Sequence, residues 1–228
     1  MFDTTMTQGI SRSASDINSA MGRVYGHMGL AVLTSMIVSM LVAGSPAAMA
    51  FFFTGAMKWI VIFAPLVAIL VAGFAFEKMS KTTLQFFLHG FAALMGLSFA
   101  TIFVVYNLGS IVSAFMSGAI LFGVMSFYGY FTKRDLTSLG QFLFIGLIAI
   151  IIASIVNIFI GSSVMQMVIS AIAVLIFTGL TAYDTQKIRE IVSYESDGKF
   201  EIWGALTLYL DFINLFLSLL QLFGERKD

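Results

Sequence analysis

Residues 202–223 read IWGALTLYLDFINLFLSLLQLF, an apolar run with one acid, Asp211, inside it. A helix of roughly 17–25 such residues crosses a hydrocarbon core about 30 Å thick, so the run is expected to span a membrane. Thr207, Asp211, Asn214, Ser218 and Gln221 recur at alternating steps of four and three, which puts them on one helical face. A polar stripe cannot face lipid. This span is therefore expected at the centre of a bundle, wrapped by whatever else crosses the bilayer.

Working back toward the N-terminus, apolar runs of spanning length fall near 25–44, 57–76, 84–106, 109–131, 141–160 and 164–186. With 202–223 they predict an all-α integral membrane protein, a seven-transmembrane-helix bundle with a central C-terminal helix. The runs are continuous rather than alternating, and an open sheet would strand backbone groups in lipid. Turn-forming stretches separate them: Gly44-Ser45-Pro46, Lys78 to Lys81, Asn107-Leu108-Gly109, Lys133-Arg134-Asp135, Gly161-Ser162-Ser163 and the charged stretch from Lys187 to Glu201. Residues 1–24 read as a polar N-terminal tail and 25–228 as a single transmembrane domain. The start lacks the short apolar region and small-residue cleavage pattern of a signal peptide, and no internal repeat stands out.

Composition agrees with the runs. Hydrophobic residues make up 59% of the chain, charged residues 11%, and the mean hydropathy is +0.98, whereas soluble domains carry roughly a quarter charged residues. The 12 basic and 12 acidic residues cancel, so no electrostatic footprint argues for nucleic acid. Membrane lipid is the expected surrounding partner. Without cysteine the chain has no thiolate metal site, disulfide or Cys nucleophile, and nothing calls for a cofactor. With a cytoplasmic N-terminus, that side receives Arg12, Arg23, Lys78, Lys81, Lys133, Arg134, Lys187, Arg189 and Lys199. The other side keeps Lys58, Arg226 and Lys227. The positive-inside rule then gives N-in.

Two acids lie within spans, Asp184 and Asp211. An ionisable group there is costly unless it faces the bundle interior and finds a partner, which makes it a functional-site candidate. The midpoint between them falls at the turn-forming pair Asp197-Gly198. In an antiparallel hairpin closed there, each acid lies about 13 residues, or about 20 Å, from the turn, and the carboxylates stand level. Thr178, Thr181 and Thr185 are offered toward the same interior, and Thr181, Thr207, Asn214 and Ser218 are the expected polar pathway lining. Two facing carboxylates in a low-dielectric site cannot both ionise cheaply, so they are expected to share a proton and titrate as a unit. Their oxygens also suit a hard cation such as Ca²⁺. Asp184 and Asp211 are thus expected to take up a proton or, transiently, Ca²⁺ on the same oxygens. His27 and His89, near helix ends, and the spacing Gly22-x-x-x-Gly26 carry bland readings: interfacial polar tips and a chance glycine pair.

The segments Thr181-Ala182-Tyr183-Asp184-Thr185-Gln186-Lys187-Ile188 and Leu208-Tyr209-Leu210-Asp211-Phe212-Ile213-Asn214-Leu215-Phe216 closely resemble the last two helices of the Bax inhibitor-1 (TMBIM) family. The resemblance implies a seven-helix bundle around the last helix and a passive, pH-sensitive calcium leak channel with Ca²⁺ as permeant ion; the lack of targeting signals and the compact length give a bacterial cytoplasmic membrane as the expected location. It implies that Asp184 and Asp211 are the paired aspartates of the sensor. It also places on Lys78 the basic latch partner of the penultimate helix's aspartate. An acid found within the second helix of some members has no counterpart among Val61 to Phe76. Some bacterial relatives are thought instead to bind and modulate a membrane-anchored AAA protease without conducting, for which residues 1–21 would be the docking segment. A third reading is an intramembrane aspartic protease. Tyr183-Asp184 fits its first motif, but Asp211 sits in Tyr-Leu-Asp-Phe rather than Gly-x-Gly-Asp, and the expectation is a protein that is not an enzyme.

Overall fold

The computed structural model describes residues 12–227. Among them lie α1 (Ala14–Ala43), α2 (Pro46–Phe53), α3 (Met57–Ala75), α4 (Lys81–Val105), α5 (Leu108–Phe131), α6 (Thr137–Ile160), α7 (Ser163–Tyr194) and α8 (Lys199–Phe223), with a 3-10 turn at Phe76–Lys78 after α3. Seven of these are long and apolar enough to cross a membrane. The exception is α2: Ser45 caps it and Pro46 occupies its first turn, where a missing N–H costs nothing. Its 8 residues reach only about 12 Å at 1.5 Å per residue, so it is a helical link between two spans.

Helix α8 is the axis. Of its apolar stretch 61% is buried, against 6% for α6, and it packs on α1, α4, α5 and α7. The most extensive pairings are α7 with α8 and α1 with α4, while α6 leans on α7 and α3 on α4. The turn between α7 and α8 closes at Gly198 with φ 65°, the left-handed conformation that favours glycine.

Two spans extend beyond their apolar cores. Helix α1 begins at Ala14, inside the stretch expected to be a polar tail, because Ser13 accepts the Asp16 amide as N-cap and Ala20, Met21 and Val24 are buried. The remainder of that stretch, residues 1–11, lies outside the described residues, as does most of the suggested docking segment. Helix α7 continues to Tyr194 because Ile188 and Val192 remain buried. Arg12 holds its end, the guanidinium Nη1 donating to the carbonyls of Val192 and Glu195 at 3.2 Å each. At the start of α6, the Thr137 hydroxyl and amide hold the Asp135 carboxyl below its ordinary range. Its folded pKa is depressed, so this contribution is present above about pH 4 and fades as pH falls through the folded value.

Close approach of helices occurs at glycines other than Gly22 and Gly26, whose positions have open space around them. A Cβ on Gly96 would stand 2.5 Å from the Ser35 carbonyl oxygen, and one on Gly129 would stand 2.1 Å from that of Ala182. These glycines set the α1–α4 and α5–α7 spacings.

A charged residue read as part of the last loop is instead buried in the first turn of α8. Glu201 is 3% exposed and accepts two hydrogen bonds from the Arg23 guanidinium of α1, Nε to Oε2 at 2.8 Å and Nη2 to Oε1 at 2.6 Å. The bidentate fork ties α1 to the central helix. Breaking a buried pair costs about 3–5 kcal/mol and an exposed one about 0–1, and the Arg23 side chain is 46% exposed. Arg23→Ala is therefore expected to destabilise by about 2 kcal/mol, and Glu201→Gln by less because no buried charge is left alone. Thermal unfolding of the two variants in detergent measures the difference.

Candidate functional site: a polar cavity between α6, α7 and α8

The polar stripe of α8 faces a cavity of about 980 Å³ walled by α6, α7 and α8, with Ile69 of α3 at its edge. Thr207, Asp211, Asn214, Ser218 and Gln221 all line it, as their spacing requires. From α7 come Gln166, Ser170, Phe177, Asp184 and Lys187, again one helical face. At 1.5 Å per residue, Gln166 to Lys187 spans about 30 Å, the thickness of the hydrocarbon core. The cavity thus follows the full length of the span.

Asp184 and Asp211 meet in this cavity, close enough to interact. Asp211 is 5% exposed, and its Oδ2 is buried with no hydrogen-bond partner among the described residues. A buried acceptor left without a donor costs about 1–3 kcal/mol, more when charged. The neighbouring carboxyl can supply that donor if one proton lies between the two, as in other close carboxylate dyads.

Several hydroxyls and amides on the stripe bond within their own helix, leaving lone pairs for the cavity: Thr207 Oγ1 donates to Trp203 O at 3.1 Å, Asn214 Nδ2 to Leu210 O at 2.8 Å and Ser218 Oγ to Asn214 O at 2.7 Å. The end farthest from Lys187 is knotted. Gln166 Nε2 donates to Gln221 Oε1 at 2.8 Å, Ser170 Oγ donates to the same oxygen at 3.0 Å, and Asn157 Nδ2 of α6 reaches Gln166 Oε1 at 3.3 Å. These bonds join α6, α7 and α8 side chain to side chain.

Thr181 does not line the cavity. It is fully buried, and its hydroxyl donates to Phe177 O at 2.7 Å. At 3.6 residues per turn Thr181 lies about 60° from the Asp184 direction on the side of Thr185, which packs on α5, whereas Lys187 lies about 60° to the other side, toward the cavity. Thr185 faces α5, where its hydroxyl pairs with that of Ser126 at 2.9 Å, and Ser126 pairs with Tyr25 of α1 at 2.6 Å.

Lys78 does not meet Asp184 either. It is exposed and makes no ion pair among the described residues. The 3-10 turn that carries it packs on the start of α8: Phe76 lies 4.9 Å from the Trp203 ring and 5.4 Å from that of Phe200, and Lys199 Nζ donates to Glu77 O at 3.3 Å. The cation that shares the cavity with Asp184 is Lys187, one turn along the same helix, its Nζ 5.6 Å from the Tyr183 ring centre. Its i, i+3 relation to Asp184 was visible in the sequence, as was the continuation of that face back to Ser170 and Gln166.

Known proteins resemble this chain over nearly its whole length. The family described as "Inhibitor of apoptosis-promoting Bax1" matches residues 17–228. The inner membrane protein YbhL of Escherichia coli K12 is 42% identical over 227 residues, covering 96% of each chain. The uncharacterized protein RP147 of Rickettsia prowazekii is 39% identical over 210 residues, covering 90% of this chain and 89% of its own. An uncharacterized protein of Borreliella burgdorferi is 37% identical over 217 residues, covering 92% of this chain and 94% of its own. With the family match taking in α2 to α8 and all of α1 after its first three residues, and the aspartate pair set in the bundle it encloses, the chain belongs to the Bax inhibitor-1 family.

Proposed function

We propose that this protein is a passive, pH-sensitive leak path for Ca²⁺ through a bacterial inner membrane, with its N-terminus in the cytoplasm. The observation that carries the reading is the Asp184–Asp211 pair, Asp211 buried and Asp184 half-buried, in a cavity as long as the membrane is thick whose α7 and α8 walls carry its polar groups, with one Asp211 carboxylate oxygen unpartnered among the described residues. The inner-membrane assignment leans on the name of the E. coli relative, and the orientation on the excess of Lys and Arg at one end of the bundle. In that orientation Lys187 marks the cytoplasmic mouth and the Gln166–Gln221 knot the far end.

Conduction needs a site that binds an ion well enough to admit it and weakly enough to release it. With both carboxylates ionised the site holds Ca²⁺ on hard oxygens and passage is slow. A proton shared by the pair competes for those oxygens, weakens coordination and lets ions pass. Acidification therefore opens the path. The reading needs no Lys78 latch, which would require the 3-10 turn to leave α8. Lys187, on the same helix as Asp184, supplies a local counter-charge and cannot join two helices. Nothing in this scheme is catalytic.

Purified protein in liposomes loaded with a Ca²⁺-sensitive dye tests it. Flux at pH 6 is expected to exceed flux at pH 8 by about 5- to 150-fold, the range that a coupling of about 1–3 kcal/mol provides. Equal flux at the two values removes the sensor. No flux above that of empty liposomes removes the leak and points to a non-conducting role as modulator of a membrane-anchored AAA protease.

A further inference from the structure

On the opposite side of α8 from the aspartates lies a second cavity of about 300 Å³, between α1, α4, α5 and α8. Its lining is apolar except for two hydroxyls, and both are already satisfied. Ser35 Oγ donates to Ala92 O at 2.7 Å and lies 2.6 Å from the Tyr209 hydroxyl, while Ser39 Oγ donates to Met36 O at 2.9 Å. An internal water requires two to four polar partners, and apolar cavities stay dry and accept apolar guests. An engineered apolar cavity of about 150 Å³ holds benzene; this one offers twice the room.

The mouth of the cavity identifies the guest. Helices α1 and α5 both pack on α8 and are joined to each other by Tyr25–Ser126 and Tyr130–Asn18 hydrogen bonds at one end, but they stand apart around the cavity at the other. The gap is framed by Met36, Met40, Leu108 and Val112, which line the cavity and are 42%, 55%, 62% and 53% exposed. All four belong to spanning helices, so what lies outside the gap is hydrocarbon. Among the described residues no charged side chain lines the cavity, so they offer a headgroup no counter-ion there. A helix about 10 Å across is too wide for it.

We propose that this cavity is an acyl-chain site: one chain of a membrane lipid enters between α1 and α5 and lies against Ile213 and Phe216 of α8. The residues that follow Asp211 on α8 thus have one face on the cavity of the aspartates and one on the lipid chain, and the lipid chain is a packing partner of the helix that carries the aspartate. The site stands whether or not the protein conducts.

The test uses the full chain in phosphatidylcholine vesicles whose lipid carries a photoactivatable diazirine in mid-chain, with adducts mapped by peptide mass spectrometry. Ile111 and Phe216, which line the cavity and are 8% and 7% exposed, are expected to be labelled along with outward residues such as Ile145. Val112→Trp places an indole in the mouth at a lipid-facing position, where folding tolerates it. Labelling at Phe216 is expected to be lost in this variant while that at Ile145 persists. Adducts confined to outward residues in the wild type, or Phe216 labelling unchanged in Val112→Trp, overturn the proposal.

Discussion

The double variant Asp184→Asn, Asp211→Asn is expected to carry Ca²⁺ at the same rate at pH 6 and pH 8, whereas the wild type varies by about 5- to 150-fold. The substitutions keep the size of both side chains and remove the titrating groups. Asparagine also brings its own donor, so the buried Oδ2 position of residue 211, unpartnered among the described residues, gains a hydrogen-bonding neighbour without a proton from solution. The two single variants each leave one carboxylate and are expected to flatten the profile less completely, because the pair titrates as a unit. Dye-loaded proteoliposomes read all four proteins under one protocol. Full pH dependence retained in the double variant would place the sensor elsewhere in the bundle.

Gly129→Ala is expected to destabilise the protein by about 3 kcal/mol or more, at or beyond the upper end of the cost of overpacking a core. The added methyl would stand 2.1 Å from the Ala182 carbonyl oxygen and 2.8 Å from its carbonyl carbon. Both are backbone atoms, so relief requires α5 and α7 to separate. Because Ala182 lies half a turn before Asp184, the separation also disturbs the cavity wall. Gly118→Ala is the control on the same helix. Its methyl would meet Leu219 and Phe216 at 3.6 Å, an ordinary contact, and the gain in helix propensity is about 1 kcal/mol. Thermal unfolding in detergent is expected to move in opposite directions for the two variants, and a Gly129→Ala protein as stable as wild type would show that the α5–α7 spacing is not fixed there.

The seven spans were legible because bilayer thickness imposes a length that hydropathy measures directly. The centrality of the last span followed from the stripe Thr207, Asp211, Asn214, Ser218, Gln221, since lipid penalises each of those side chains. Less legible were the helix ends outside the hydrocarbon. Ala14–Val24 of α1 and Lys187–Tyr194 of α7 are polar enough to look like tail and loop, and tertiary burial of Met21, Val24, Ile188 and Val192, with the Ser13 cap and the Arg12 bonds to the end of α7, holds them helical. Glu201 looked like a loop charge for the same reason. Its partner Arg23 is far away in sequence, and nothing local marks the pairing. Thr181 was misplaced because a step of three turns to either side of Asp184: Lys187 falls on the cavity side and Thr181 on the side of Thr185, against α5. Lys78 came from a resemblance between helices rather than from a physical constraint, and the aromatic packing of Phe76 on Trp203 keeps its turn on α8.

The central claim is that ions pass along the α8 stripe between α6 and α7, and the absence of native cysteine makes it directly testable. Single cysteines at Thr207, Asn214 and Ser218, which line the cavity, are compared with cysteines at Leu208 and Leu215, which are fully buried away from it. A small water-soluble, membrane-impermeant thiol reagent is added to proteoliposomes during Ca²⁺ flux at acid pH. Block at the three cavity positions with none at the two leucine positions is the result the account predicts; flux that continues unchanged after modification at Asn214 and Ser218 would contradict it.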